Sequence, residues 1–138
     1  MEKTFEYYGI FLNEESKKKL RQFLLEDERY SVILEDANKI FLDHCTILHC
    51  SQLEGNEGAL NWCEACENEE VFGKAVAIGW NDLAMAVKVE FPGVSIVNKN
   101  PHITIATFNG GKPFQSNKIK GWIKIEAIEI SGTILKRG

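Results

Sequence analysis

The alternation of apolar and polar positions divides this chain into short segments. Residues 5–12 (FEYYGIFL) are aromatic and β-branched and predict a strand. Asn13 then offers a helix N-cap, and Glu14 and Glu15 suit the positive end of that helix. Leu20, Phe23 and Leu24 recur at helical spacing, with Lys17, Lys18, Lys19 and Arg21 mostly on the outer face, so the helix is expected to reach about residue 28. Residues 31–34 read as a short strand or a loop. Residues 39–48 predict a strand, Gly55-Asn56-Glu57-Gly58 a loop, and residues 59–69 approximately a second helix. The apolar runs 71–80 and 83–91 flank Asn81-Asp82 as a hairpin, and Pro92-Gly93 marks a turn. A strand over 102–108 follows, then a break at Gly110-Gly111 and Pro113. Residues 121–135 predict a long strand, bent or bulged near Ser131-Gly132.

Two helices among many short strands, with no linker or low-complexity tract, predict a single α+β domain over residues 1–138. A strand–helix–strand order in the first half and a hairpin–strand–strand order in the second suggest two lobes. The net charge of −4 argues against a protein that coats long nucleic acid, which needs a surplus of Lys and Arg. A small nucleotide or one end of an RNA is compatible with it, and Lys112, Lys118, Lys120 and Lys124 offer a local basic surface. The opening Met1-Glu2-Lys3-Thr4-Phe5-Glu6 lacks the apolar stretch of a leader, and nowhere do 18 apolar residues run together. The expected setting is soluble and intracellular, cytoplasmic or nuclear, with no membrane and with Cys45, Cys50, Cys63 and Cys66 reduced.

Chemistry concentrates in two triplets, His44-Cys45-Thr46 and His102-Ile103-Thr104. The chain has three His and five Thr, and two of those His head such a triplet. In a strand, residues i and i+2 share a face, so each triplet presents an imidazole beside a hydroxyl while Cys45 and Ile103 point into packing. If the two strands lie close, an acid, a base and two hydroxyl donors face a common space. The imidazoles suit proton transfer near neutrality, and the hydroxyls suit charge developing on oxygen.

At these residues the sequence resembles the 2H phosphoesterase superfamily, with its two His-x-Ser/Thr motifs. The closer likeness is to the cyclic phosphodiesterase domain of plant-type tRNA ligases. It is carried by HCTILH at 44–49, by VSIVNKNPHITI at 94–105 and by the apolar stretch 71–90. The resemblance implies a bilobal fold in which two antiparallel sheets form a central cleft, with helices outside. It also implies metal-independent hydrolysis of an RNA 2′,3′-cyclic phosphate to a 2′-phosphate, with His44, Thr46, His102 and Thr104 catalytic. By analogy His102 is the base and His44 the acid. No cofactor is expected. The expected partner is an RNA end or a small nucleotide with a cyclic phosphate, and a separate RNA ligase or kinase in a split repair system; the chain is expected to act as a monomer. The alternatives are cleavage of 2′–5′ oligoadenylates or a cyclic signalling nucleotide, and a nucleotide-binding module without catalysis.

Other residues invite weaker readings. Tyr8 is the preferred residue for stacking on a base, ahead of Tyr7, Trp80 and Phe108. Phe108 and Lys112 complete the expected substrate contacts. His49 has odd parity with His44, which points it away from the cleft and favours a strand-end cap. Cys63 and Cys66 stand i, i+3 on a helix, where packing is favoured over a zinc site with His49 and Cys50.

Overall fold

Strand β1 (Tyr7–Leu12) sets up two faces: Tyr8, Ile10 and Leu12 are buried, while Tyr7 and Phe11 face outward across Gly9. The structure is a computed structural model that describes residues 5–138. Residues 1–4, the start of the segment read above for a leader, lie outside the described residues. Helix α1 (Glu14–Glu26) begins where expected, with the Asn13 side chain accepting from the Ser16 N–H and two carboxylates in the first turn. The Ser16 hydroxyl accepts from the backbone N–H of Ser131, which ties the helix to the sheet.

Residues 31–34, read as strand or loop, lie instead in a second helix, α2 (Glu28–Leu34). Asp27 caps it by accepting from the Arg29 N–H, and Tyr30, Ile33 and Leu34 then fall on one face toward the core. The single strand expected over 39–48 is two, β2 (Lys39–Ile40) and β3 (His44–His49). Between them Leu42 holds φ at 53°, a left-handed conformation uncommon for a side chain of this size. Its side chain is buried and its N–H donates to the Thr104 carbonyl, which holds it there. Helix α3 (Glu57–Ala65) leads to the hairpin β4 (Glu70–Trp80) and β5 (Ala84–Glu90), then to β6 (His102–Thr107) and β7 (Trp122–Arg137).

The strands form one antiparallel sheet ordered β2-β6-β3-β1-β7-β4-β5, and a β5–β6 pairing closes it into a barrel. The two separate sheets expected from the sequence are therefore joined. The sixteen-residue β7 pairs with β1 on one side and β4 on the other, and so bridges both halves of the chain. At Ser131 and Gly132 its pairing with β4 is regular; the irregularity falls earlier, where Ala75 and Ala77 face Ile128 and Lys124. Gly132 is needed for another reason: a Cβ there would sit 2.6 Å from the Phe11 carbonyl oxygen.

Ile10, Ile47, Leu48, Ile78, Val87, Ile103, Ile105 and Ile134 are fully buried in the core, with Leu20, Leu24 and Tyr30 from the helices against it. Burying each such aliphatic chain is worth about 1.5–3 kcal/mol. The triplet strands β3 and β6 each contribute two of these, so packing fixes which face they show to solvent. Among the described residues no helix is long and apolar enough to cross a membrane.

Candidate active site

Strands β3 and β6 touch at one bridge, Cys45 opposite Ile103. Both side chains are fully buried. Continued in either direction, that antiparallel register sets His44 opposite Thr104 and Thr46 opposite His102. All four side chains line one cleft of about 590 Å³, together with Tyr7, Phe41, Asp43, His49, Phe114 and Asn117 among others.

His44 is held on three sides. It pairs with Phe11 on β1, and its ring centroid lies 4.9 Å from those of Tyr7 and Phe11, at interplanar angles of 23° and 24°. Gly9 makes that approach possible, since a Cβ there would lie 3.3 Å from His44 Cδ2 and 3.2 Å from the Cys45 carbonyl oxygen. Arg137 stacks on Phe11 with its guanidinium carbon 4.2 Å from the ring centroid. Asp43 Oδ2 stands 3.1 Å from His44 Nδ1, and Lys17 Nζ lies 3.6 Å from Asp43 Oδ1. A carboxylate only accepts, so Nδ1 carries a proton and Nε2 is the atom left for chemistry.

His102 reaches the same tautomer by another route. Its Nδ1 donates to the Asn100 carbonyl at 2.8 Å, which again leaves Nε2 free. Burial is the largest influence on both imidazoles and lowers the pKa of each below the ordinary histidine value. The Asp43 carboxylate opposes this at His44, where the Arg137 charge adds to the lowering, and the Asn100 carbonyl opposes it at His102. The charge of His44 lowers His102 further. One proton shared by the pair is therefore favoured on His44, whose partner is charged.

Thr104 is anchored by a 3₁₀ turn over Pro113–Lys118: its hydroxyl lies 3.0 Å from the buried Ser116 hydroxyl and 3.4 Å from the Pro113 carbonyl. Asn98 Nδ2 donates to Asn117 Oδ1 at 2.9 Å, which joins that turn to the loop before β6 at the cleft edge.

The structure brings the four triplet residues together and moves the other expected contacts away. Tyr8 is 2% exposed in the core, where burial, with Glu67 and Glu64 adding, pushes its hydroxyl up to about 12. It shares the inward face of β1 with Ile10 and Leu12, so Tyr7 is the residue beside the site. Phe108 is also buried in the core, and Lys112 is exposed outside the cleft. His49 does cap: its Nδ1 accepts from the Ser51 N–H at 3.1 Å and opens a 3₁₀ turn over Cys50–Gln52. It nonetheless lines the cleft, because a bulge in β3 opposite Tyr8 and Gly9 buries Ile47 and Leu48 in succession and reverses the parity. Cys63 is buried inside α3, where burial pushes its thiol up to about 11. No group of three or more His, Cys, Asp or Glu among the described residues is placed to hold a metal ion.

Sequence reasoning missed Asp43, Phe41, Phe114, Asn98, Asn117 and Ser116, and it ranked Tyr7 behind Tyr8. A signal existed for Asp43 and for Tyr7. Asp43 directly precedes the first triplet, and the unbroken apolar alternation Tyr8-Ile10-Leu12 marks the inward face, leaving Tyr7 outside.

A model of the fungal tRNA ligase phosphodiesterase domain matches residues 74–133, a stretch that holds the second triplet but not the first. No curated protein matches the sequence. Among solved structures, a fungal RNA kinase superposes with a TM-score of 0.69 over 99% of this chain, at 14% identity. At that identity the likeness shows the fold, and this chain spans 46% of the other's length. The resemblance read from the sequence is thus matched by the family comparison: over residues 74–133 this chain is similar to the phosphodiesterase domain of fungal tRNA ligases.

Proposed function

We propose that this chain is a phosphodiesterase that opens a 2′,3′-cyclic phosphate at an RNA end or on a nucleotide, leaving a 2′-phosphate. The observation that carries this reading is the Cys45–Ile103 bridge, which turns both His-x-Thr pairs toward one cleft. His102 Nε2 takes the proton of the attacking water as the new P–O bond forms. His44 Nε2 gives its proton to O3′ as the P–O3′ bond breaks, so the P–O2′ bond is kept. Asp43 favours the imidazolium that His44 needs at the start, and among the described residues His102 has no such carboxylate. Thr46 donates to a non-bridging oxygen as negative charge builds there, and Thr104 does the same once its hydroxyl turns from the Pro113 carbonyl while accepting from Ser116. The scheme needs no metal or cofactor. Similarity to a tRNA ligase phosphodiesterase domain favours RNA end healing of the tRNA-splicing kind as the setting, with a separate ligase or kinase acting on the same ends.

The test is hydrolysis of a panel: nucleoside 2′,3′-cyclic phosphates, a cyclic-ended RNA, 2′–5′ oligomers and cyclic dinucleotides, with phosphorus NMR of the products. A 2′-phosphate from the first two supports the proposal. Turnover of only the last two, or of none, overturns it.

A further inference from the structure

Charge is unevenly divided along this acidic chain. Residues 91–125 hold five lysines, Lys99, Lys112, Lys118, Lys120 and Lys124, and none of the chain's twenty Asp and Glu. The fold carries three of these away from the cleft in sequence. The turn over Pro113–Lys118 lines the cleft with Phe114 and Asn117; Lys118, Lys120 and Lys124 follow directly, all exposed, around the start of β7.

Strand register extends the same basic surface from the catalytic face. His102 pairs with Lys88, Lys88 with Ala77, and Ala77 with Lys124, so the four stand in one row across β6, β5, β4 and β7. Thr104, Ala86, Gly79 and Trp122 make the row beside it. Paired residues share a face, so both rows lie on the side that bears the triplet; Ala86 and Gly79 in the second are buried, Gly79 beneath Ile119 and Trp122, and the first row carries the lysines. Three strand spacings separate His102 from Lys124, about 14 Å. The Lys88 ammonium sits 5.1 Å from the Trp122 ring centroid two strands away, so its chain reaches across β4, where its partner is the small Ala77. None of Lys88, Lys118, Lys120 or Lys124 forms an ion pair among the described residues.

We infer that this surface is the track for the RNA body leading to the cyclic end. Its occupant is a single-stranded polyribonucleotide, whose phosphates meet Lys88, Lys118, Lys120 and Lys124 after the terminal nucleotide enters the cleft beside Phe114. A mononucleotide fills only the cleft, so the track makes the site one for RNA ends rather than for free cyclic nucleotides. This inference rests on the proposed phosphodiesterase reading for the position of the end, but its test separates the two.

The experiment compares wild type with a Lys118→Glu, Lys120→Glu, Lys124→Glu variant, all at exposed positions. Binding of a labelled single-stranded oligoribonucleotide is measured by anisotropy against salt, and hydrolysis is followed on a 2′,3′-cyclic mononucleotide and on a cyclic-ended oligomer. The expected result is a 10–100-fold weaker binding in the variant, with the log–log salt slope reduced by about 2 for three lost phosphate contacts. Hydrolysis of the oligomer falls in step while the mononucleotide rate stays within about twofold, a ratio that global unfolding does not produce. Equal binding and salt slope in the two proteins would overturn the track, as would an equal loss on both substrates. If neither substrate is hydrolysed by wild type, the phosphodiesterase reading fails and the binding measurement still decides the track. Binding of an acidic peptide in preference to the oligoribonucleotide counts against it.

Discussion

Asp43 Oδ2 lies 3.1 Å from His44 Nδ1, whereas the Nδ1 of His102 donates to the Asn100 carbonyl. The two imidazoles share a tautomer and differ in the charge of what holds it. A carboxylate stabilises an imidazolium more than a neutral carbonyl does, so the pair is unequal before substrate arrives. In an acid–base reaction this inequality assigns the roles. In the reaction proposed above, the histidine backed by the carboxylate would hold the proton to be given away, and the other would have its lone pair ready.

Asp43→Asn therefore acts on one limb of the pH–rate profile. With the carboxylate gone, the pKa of His44 falls further, and the alkaline limb of kcat/KM moves to lower pH while the acidic limb stays. The rate at neutral pH drops by about 3–30-fold, less than on removing His44 itself. Movement of the acidic limb alone would reverse the assignment and make His44 the base. An unchanged profile would leave Asp43 without a positioning role.

Replacing the imidazoles is a blunter test. His44→Ala or His102→Ala is expected to lower kcat by about 10²–10⁴-fold, and Thr46→Ala or Thr104→Ala by about 10–10³-fold. The measurement is kcat and KM on a 2′,3′-cyclic mononucleotide, with circular dichroism as a control for folding. Wild-type turnover in either histidine variant excludes the role given to it.

Adjacent tyrosines on β1 offer a prediction of opposite effects. Tyr8→Ala empties a core position and costs about 3–5 kcal/mol of stability, as large aromatic deletions do. Tyr7→Ala removes a half-exposed ring that packs 4.9 Å from His44, so its main effect is on activity. Chemical denaturation and initial rates on both variants check this. Loss of stability in Tyr7→Ala comparable to that in Tyr8→Ala contradicts the assigned faces.

The same pair of tyrosines shows what the sequence revealed and what it hid. Period-two alternation made 5–12, the hairpin, 102–108 and the long last strand legible, and spacing plus parity identified both triplets. Three places escaped. Residues 31–34 are helical because Asp27 caps a new turn and Tyr30 is drawn into the core, a tertiary gain that local β-branching conceals. The 39–48 strand breaks because Leu42 accepts a left-handed φ in exchange for burial and a hydrogen bond to Thr104. His49 reaches the cleft because a bulge near Ile47 resets parity, and no residue type announces a bulge of that kind. Each failure is one of long-range packing overriding a local rule.

Burial of the two histidines has a thermodynamic consequence that activity does not report. Both have pKa values in the folded chain below the unfolded value near 6.5. As pH falls through that value the unfolded chain binds protons that the folded chain resists, so stability declines with acidification. The contribution is fully favourable above about pH 7 and is lost progressively below 6.5, toward the lowered folded-state values. Denaturant midpoints measured between pH 8 and 5.5 are expected to fall for wild type and to fall less for a His44→Gln, His102→Gln variant, which has no proton to gain at either site. That comparison isolates the two rings, since the carboxylates titrate mainly below this window. An equally steep decline in the variant would mean that neither imidazole resists protonation, and burial would not be what sets their pKa values.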